Sequence, residues 1–336
     1  MGIKLVGAGE YLPEKVVGNE QFEKLVDTSN EWIVRRTGIS HRHYSCAEST
    51  VQMGLKAAKQ ALENAKVLPS ELDLIIFSSV TSDFAFPSMS NILQGKLDAT
   101  NAIGIDISCA CSGFVYALDM AHRYIASNDG IETVLIVCSE NMTKLVDFSD
   151  RTTCVLFGDG AGAVVVRRSE NEFFSVLKTD GKSSGLIYSN LQGPGNFLTT
   201  PQETAKSRQA FAKEFFEISD DSFLHMNGSA VYRQAIDSMV SVMQQVCRKA
   251  GVDLLDLDCI IPHQANVRII DRVMQKLGAA PEKVLVNIQK TGNISSACIP
   301  VCLAQSLKQG RVKSGDKIGL VSFGAGLIYG AIVFTI

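Results

Sequence analysis

Short apolar runs alternate along the chain with longer stretches whose apolar residues recur every three or four positions. The short runs predict strands over 4–7, 74–79, 102–107, 134–138 and 162–166, and again over 259–262, 284–287, 317–322 and 329–334. The longer stretches predict helices over 49–65, 112–126, 230–250, 267–277 and 296–309. Strands interleaved with helices imply α/β layering, in which a strand covered on both faces reads as an almost unbroken apolar run.

The pattern repeats. Glu71-Leu-Asp-Leu-Ile-Ile returns as Asp256-Leu-Asp-Cys-Ile-Ile, an offset of 185 (256 minus 71), each copy after a long helix and a short turn. Two strand–turn–helix junctions, Ser108-Cys-Ala-Cys-Ser-Gly and Gly292-Asn-Ile-Ser-Ser-Ala, lie about as far apart. Two Gly-rich strand entries, Phe157-Gly-Asp-Gly-Ala-Gly and Phe323-Gly-Ala-Gly, follow in the same order. Three correspondences in one order imply a duplicated α/β half, divided into 1–168 and 169–336. Residues 183–222 fit no period and read as an insertion that covers a site or contributes to its specificity.

Composition narrows the function. With 336 residues, 46% hydrophobic and 20% charged, the chain has ample material for a large core. A net charge of −3 argues against a nucleic-acid surface. No apolar run approaches the roughly 20 residues of a membrane span, and no secretory signal is visible, so a cytoplasmic protein is expected. The nine cysteines include no C-x-x-C pair, which excludes zinc-type spacing and, with the expected compartment, a disulfide framework.

One cysteine stands apart. Cys111 follows an apolar strand and precedes the helical run from Ser112, where unsatisfied amides favour a thiolate nucleophile. A buried structural thiol is the competing reading. His263 in Pro262-His-Gln-Ala-Asn follows a strand directly, at the carboxyl end where open α/β sheets bind ligands; a helix-capping His is the alternative. Asn293 stands at the junction that the repeat pairs with Cys111, although Asn is also a common helix cap. The amides of Phe323-Gly-Ala-Gly326 are suited to a developing oxyanion or to a plain turn. Two other features read as lures. Gly7-Ala-Gly lacks the third glycine of a dinucleotide fingerprint, and His41-Arg-His43 near Cys46 reads as a basic surface turn.

Together these residues resemble the β-ketoacyl-acyl-carrier-protein synthase III family of thiolase-fold condensing enzymes, over nearly the whole chain. The resemblance rests on Asp27-Thr-Ser-Asn-Glu-Trp-Ile-Val-Arg-Arg-Thr-Gly38, Ala110-Cys-Ser-Gly-Phe, Asp150-Arg151, Phe157-Gly-Asp-Gly-Ala-Gly, Pro262-His-Gln-Ala-Asn-Val-Arg268 and Gly292-Asn293. It implies two pseudo-symmetric halves in a five-layer αβαβα fold, and a Cys111–His263–Asn293 triad with the Cys111 and Ala325 amides as oxyanion hole. It also implies that Trp32 and Arg151 sandwich the adenine of CoA, with Arg36 near its phosphates and Gly228 and Asn266 along the pantetheine arm. Met142 and Phe157 would line the acyl tunnel, and Phe86 would enter a partner subunit's pocket in a homodimer. Arg233, Arg268 and Lys276 would meet the acyl carrier protein. The implied reaction is decarboxylative condensation of an acyl-CoA with malonyl-acyl carrier protein through an acyl-Cys111 intermediate, initiating fatty-acid synthesis, with no metal or cofactor.

Five positions depart from the family pattern. Cys109 replaces a usual Ala, Thr152 a common Gly and Tyr232 a frequent Phe; Ala325 interrupts an all-Gly turn, and Met142 reshapes the tunnel. These leave open a longer, branched or aromatic acyl starter in secondary metabolism. A non-catalytic acyl-CoA-binding subunit is a further alternative, and whether malonate arrives on carrier protein or CoA is also open.

Overall fold

A computed structural model describes residues 2–127, 130–189 and 223–336. The apolar runs form two sheets. The first contains β1 (Gly2–Tyr11), β2 (Leu74–Ser78), β3 (Ile103–Ile107), β4 (Thr133–Asn141) and β5 (Asp159–Ser169), in the order β1-β5-β4-β2-β3. The second contains β6 (Phe173–Thr179), β7 (Cys259–Pro262), β8 (Lys317–Gly324) and β9 (Ile328–Thr335), in the order β6-β9-β8-β7. β2 is parallel to β3 and β4, as β7 is to β8; the other pairs are antiparallel. The second sheet therefore repeats four of the five strands of the first. Where a counterpart of β3 would stand, there is only a parallel bridge from Ile260 to Val284.

That bridge corrects the strand expected over 284–287. The side-chain oxygen of Gln264 accepts the amides of Asn287 (3.1 Å) and Ile288 (3.3 Å), diverting them from a ladder into a short helical turn, Ile288–Thr291. β6 had no sequence signal because it is an edge strand with only Ser175 buried.

The helices are α1 (Asn30–Thr37), α2 (Thr50–Ala65), α3 (Met89–Leu97), α4 (Gly113–Ala126), α5 (Gly228–Ala250), α6 (Val267–Leu277) and α7 (Cys298–Lys308). Ser49 and Gln52 close a capping box on α2. α3 went unpredicted because its apolar buried side is a single narrow stripe, Met89, Leu93 and Leu97. Strand side chains alternate between two cores: Val134 and Ile136 face inward onto α4 and α7, while Leu135 and Val137 face outward onto α2 and α3. α5 and α6 cover the outer face of the second sheet. The result is five layers, α2/α3, sheet, α4/α7, sheet and α5/α6, each buried Leu, Ile or Val contributing about 1.5–3 kcal/mol.

Two lures resolve here. A Cβ at Gly7 or Gly9 would stand 2.5 or 2.3 Å from a carbonyl oxygen of α2, so these glycines let β1 lie against that helix. The surface turn expected at 41–43 is instead a strand, His41–Tyr44, with Arg42 completely buried. Arg42 bonds Asn19 Oδ1 at 2.7 Å and the Val155 carbonyl at 2.5 Å, and covers the Phe22 ring. Of the 183–222 stretch, residues 183–189 form the end of a helical turn and a short strand, Ile187–Ser189, paired with Leu224–Met226; 190–222 lie outside the described residues.

Candidate active site

The carboxyl ends of β2, β3, β7 and β8 converge on a cavity of about 830 Å³. Its floor holds Cys111 after β3, His263 after β7, and Asn293 before α7. Cys111 and His263 come from strand-to-helix connections, and Asn293 from the link between the Ile288–Thr291 turn and α7; the Cys111 and Asn293 junctions are related by the repeat.

Cys111 lies in the tight turn Ala110–Ser112, two residues before the start of α4. Ala110 (φ 43°) and Ser295 (φ 50°) both adopt the left-handed region, and their separation is again 185 (295 minus 110). The two entrances to the central helices are thus matched in backbone shape as well as in position. Two bonds fix the Cys111 peptide: Ser322 Oγ donates to its carbonyl at 2.8 Å, and its Sγ donates to Ser295 Oγ at 3.5 Å. Gly324 packs against the same peptide, since a Cβ there would stand 2.7 Å from the Cys111 nitrogen. Ala325 follows on the cavity wall.

Electrostatics differ from the sequence expectation for this cysteine. Burial pushes the Cys111 thiol up to about 12; the Ser295 bond opposes this, and the nearby Glu140 charge adds to it. A turn rather than the helix itself carries the sulfur, and desolvation outweighs the helix terminus. The resting group is a thiol. His263 is 2% exposed, and burial pushes it down to about 3, so the ring is neutral at physiological pH. Its Nδ1 has no hydrogen-bond partner among the described residues.

The Asn293 carbonyl oxygen Oδ1 accepts the Ser295 amide at 2.9 Å and the Cys298 thiol at 3.6 Å. Both partners are donors. The amide nitrogen is therefore the atom left to face a ligand.

At the exposed mouth the cavity is lined by Trp32 and Arg36 of α1, Arg151, and Gly228 and Arg233 of α5, with Asn266 and Arg268 at the start of α6. Arg151 lies over the Trp32 ring, 4.7 Å from its centre, and donates to the Asp27 carbonyl at 2.6 Å. The stack is closed, so a base entering between them must first displace the guanidinium. Met142 and Phe157 are buried in the cavity wall beside Val80. Phe86 and Lys276, expected at a subunit contact and on the carrier-protein patch, do not line this cavity. Phe86 is 87% exposed on the segment before α3, and Lys276 pairs on the surface with Asp237 at 2.9 Å.

The sequence reading missed Ser295, Cys298, Ser322 and Glu140. Only Ser295 left a trace, as the partner of Ala110 under the repeat offset. The others are ordinary buried polar residues until the fold brings them under Cys111.

Comparison with known proteins agrees with this architecture. Residues 105–185 match the family 3-oxoacyl-[acyl-carrier-protein (ACP)] synthase III, and 247–336 match its C-terminal family. A β-ketoacyl-[acyl-carrier-protein] synthase III of Aquifex aeolicus is 41% identical over 333 residues, covering 99% of each chain. One from Clostridium acetobutylicum is 39% identical over 331 residues, covering 98% of each. The crystal structure of 3-oxoacyl-[acyl-carrier-protein] synthase III from Aquifex aeolicus superposes with a TM-score of 0.89 at 40% identity, covering 100% of both chains. With its duplicated thiolase-like halves and the cavity between them, the chain belongs to the 3-oxoacyl-[acyl-carrier-protein] synthase III family.

Proposed function

We propose that Cys111, His263 and Asn293 are the catalytic residues of this acyltransferase, which condenses an acyl-CoA primer with malonyl-acyl carrier protein. The observation that carries the reading is their meeting on one cavity floor, with Ser295 bonded to both the Cys111 sulfur and the Asn293 amide oxygen. Cys111 attacks the thioester carbonyl as a thiol losing its proton; the C–S bond to CoA breaks, and that proton ends on the departing sulfur. The Cys111 and Ala325 amides hold the transient oxyanion. In the second step malonyl C–C cleavage releases CO₂ and leaves an enolate, whose oxygen receives hydrogen bonds from neutral His263 and the Asn293 amide. The enolate carbon attacks the acyl-Cys111 carbonyl, and the released thiolate takes up one proton.

The remaining roles belong to the same reading. Trp32, Arg151 and Arg36 hold the CoA nucleotide, with the Arg151 guanidinium moving off the indole; Gly228 and Asn266 line the pantetheine path. Met142 and Phe157 bound the acyl chain. Arg233, Arg268 and Lys276 form the carrier-protein patch. The chain divides at 168/169, where β5 of the first sheet gives way to β6 of the second, and it acts in the cytoplasm as a homodimer. The homodimer is supported by the edge of β3, unpaired among the described residues, and by the exposed rings of Phe84 and Phe86. In the described residues no helix is long and apolar enough to cross a membrane.

A second reading, a longer, branched or aromatic starter, is supported by Met142 in the cavity wall and by Tyr232 at its entrance beneath Arg268. Intact mass after incubation with acyl-CoAs from acetyl to long-chain and aromatic, followed by malonyl-carrier protein or malonyl-CoA, separates the two. One acyl adduct, absent in Cys111→Ser, is expected. An adduct that survives that substitution, or none with any acyl-CoA, removes the covalent mechanism. Loading by acetyl-CoA alone removes the second reading.

A further inference from the structure

Behind the cavity floor lies a carboxylate that the reaction above does not use. Glu140, next to last in β4, is completely buried, and among the described residues no Lys, Arg or His pairs with it. A buried charge without a counter-ion is costly and persists only where hydrogen bonds satisfy it. All four of its bonds come from neutral groups. Oε2 accepts Ser79 Oγ (3.1 Å), the Val80 amide (3.1 Å) and Thr81 Oγ1 (2.9 Å), while Oε1 accepts Ser296 Oγ (2.6 Å).

These donors belong to different halves. The 79–81 loop follows β2 and carries Val80 into the cavity wall. The Ser295–Ala297 turn opens α7, and its Ser295 touches both Cys111 Sγ and Asn293 Oδ1. The start of α4 rests on the same cluster, since a Cβ at Gly113 would stand 2.0 Å from Ser78 Oγ and 3.0 Å from Ser296 Cβ. We propose that Glu140 is a positioning residue for the nucleophile: its carboxylate locks the Ser295–Ala297 turn to the loop after β2, and so sets Ser295 Oγ and the Asn293 amide against Cys111. This rests on the reading that Cys111 carries the acyl group.

The charge has a second effect. Burial raises the carboxyl's own pKa, and in its ionised form it adds to the burial that keeps the Cys111 sulfur protonated. The other titratable groups here are His263 in the same cavity, Cys298 of α7 facing Cys111, and Cys138 of β4 facing Glu140. None of these is an acid that ionises near neutral pH.

Acyl-CoA loading and iodoacetamide alkylation of Cys111 are followed by intact mass between about pH 6 and about pH 11 in the wild type, Glu140→Gln, Glu140→Asp and Ser296→Ala. Glu140→Gln is expected to slow loading about tenfold to a hundredfold and to move the alkylation profile down by about one pH unit. Glu140→Asp keeps the charge but is too short to bridge both elements, and Ser296→Ala removes one arm of the bridge. Both are expected to load slowly with the wild-type alkylation profile. Loading by Glu140→Gln within about twofold of wild type overturns the proposal. So does a loss that merely tracks the unfolded fraction seen by circular dichroism, with the alkylation profile unmoved. If Glu140→Gln does not fold, Ser296→Ala decides, and wild-type loading there overturns it. A wild-type protein that never loads removes the Cys111 reading itself; normal loading in every variant removes only the role of Glu140.

Discussion

The two groups assigned to the enolate act as donors for different reasons. His263 donates the one N–H of an imidazole that burial keeps neutral, pushed down to about 3. Asn293 is a donor because Ser295 and Cys298 occupy its oxygen. Titrating His263 therefore leaves no acidic limb near its ordinary value of 6.5 in the condensation step. Single-turnover condensation from preloaded acyl-enzyme is expected to stay flat between about pH 5 and about pH 8, whereas loading rises with pH because the Cys111 thiol sits near 12. Stability has the corresponding sign. A folded value below the unfolded one makes the His263 contribution complete above about 6.5 and lost as the pH falls towards 3. Asn293→Asp puts a carboxylate where a donor is needed; condensation should fall about 10²–10³-fold while the acyl adduct still forms.

At the scale of elements, the β8–β9 hairpin shapes the Cys111 turn as much as α4 does. Ser322 in β8 bonds the Cys111 carbonyl at 2.8 Å, and Ser112 Oγ donates to the Ile328 carbonyl of β9 at 2.9 Å. Gly324 leaves room for the Cys111 nitrogen between them. Gly324→Ala should push the turn away from that amide and slow loading about a hundredfold, with the thermal midpoint moving by only a few degrees. Equal loss of loading and of folded protein would assign Gly324 to the hairpin alone. This contact was not legible in sequence, where Phe323-Gly-Ala-Gly326 reads equally well as a plain turn. The elements themselves were. β7 and α6 fall at their predicted limits, because their apolar periods are backed by a Pro-bounded strand end and by Asn266 capping the helix through the Arg268 amide.

For the whole molecule, the site belongs to neither half. Cys111 comes from the first, His263 and Asn293 from the second, and the floor is the seam where α4 and α7 meet between the sheets. Among the described residues the outer edge of the first sheet is unpaired at β3, Ile103 is 56% exposed, and Phe84 and Phe86 are exposed too. On the proposed homodimer, sedimentation velocity at micromolar concentration is expected to find a dimer for the wild type and monomers for Phe86→Glu. A variant that sediments as the wild type would put the subunit contact elsewhere.

The sequence by itself determined the α/β layering and the duplication, and it placed Cys111, His263 and Asn293 at junctions between elements. Apolar period, turn chemistry and a recurring hexapeptide are local properties, and each junction carries its own signal. Tertiary structure decided what those residues experience. The Cys111 thiol is raised rather than lowered, because desolvation depends on how deeply the two halves close over it. The Asn293 amide has a direction only because Cys298 and the Ser295 amide meet its oxygen. Glu140 lies far in sequence from Ser79 and from Ser296, and no period or motif connects them; only the packing of β4 against both helix entrances brings the carboxyl group to both serines.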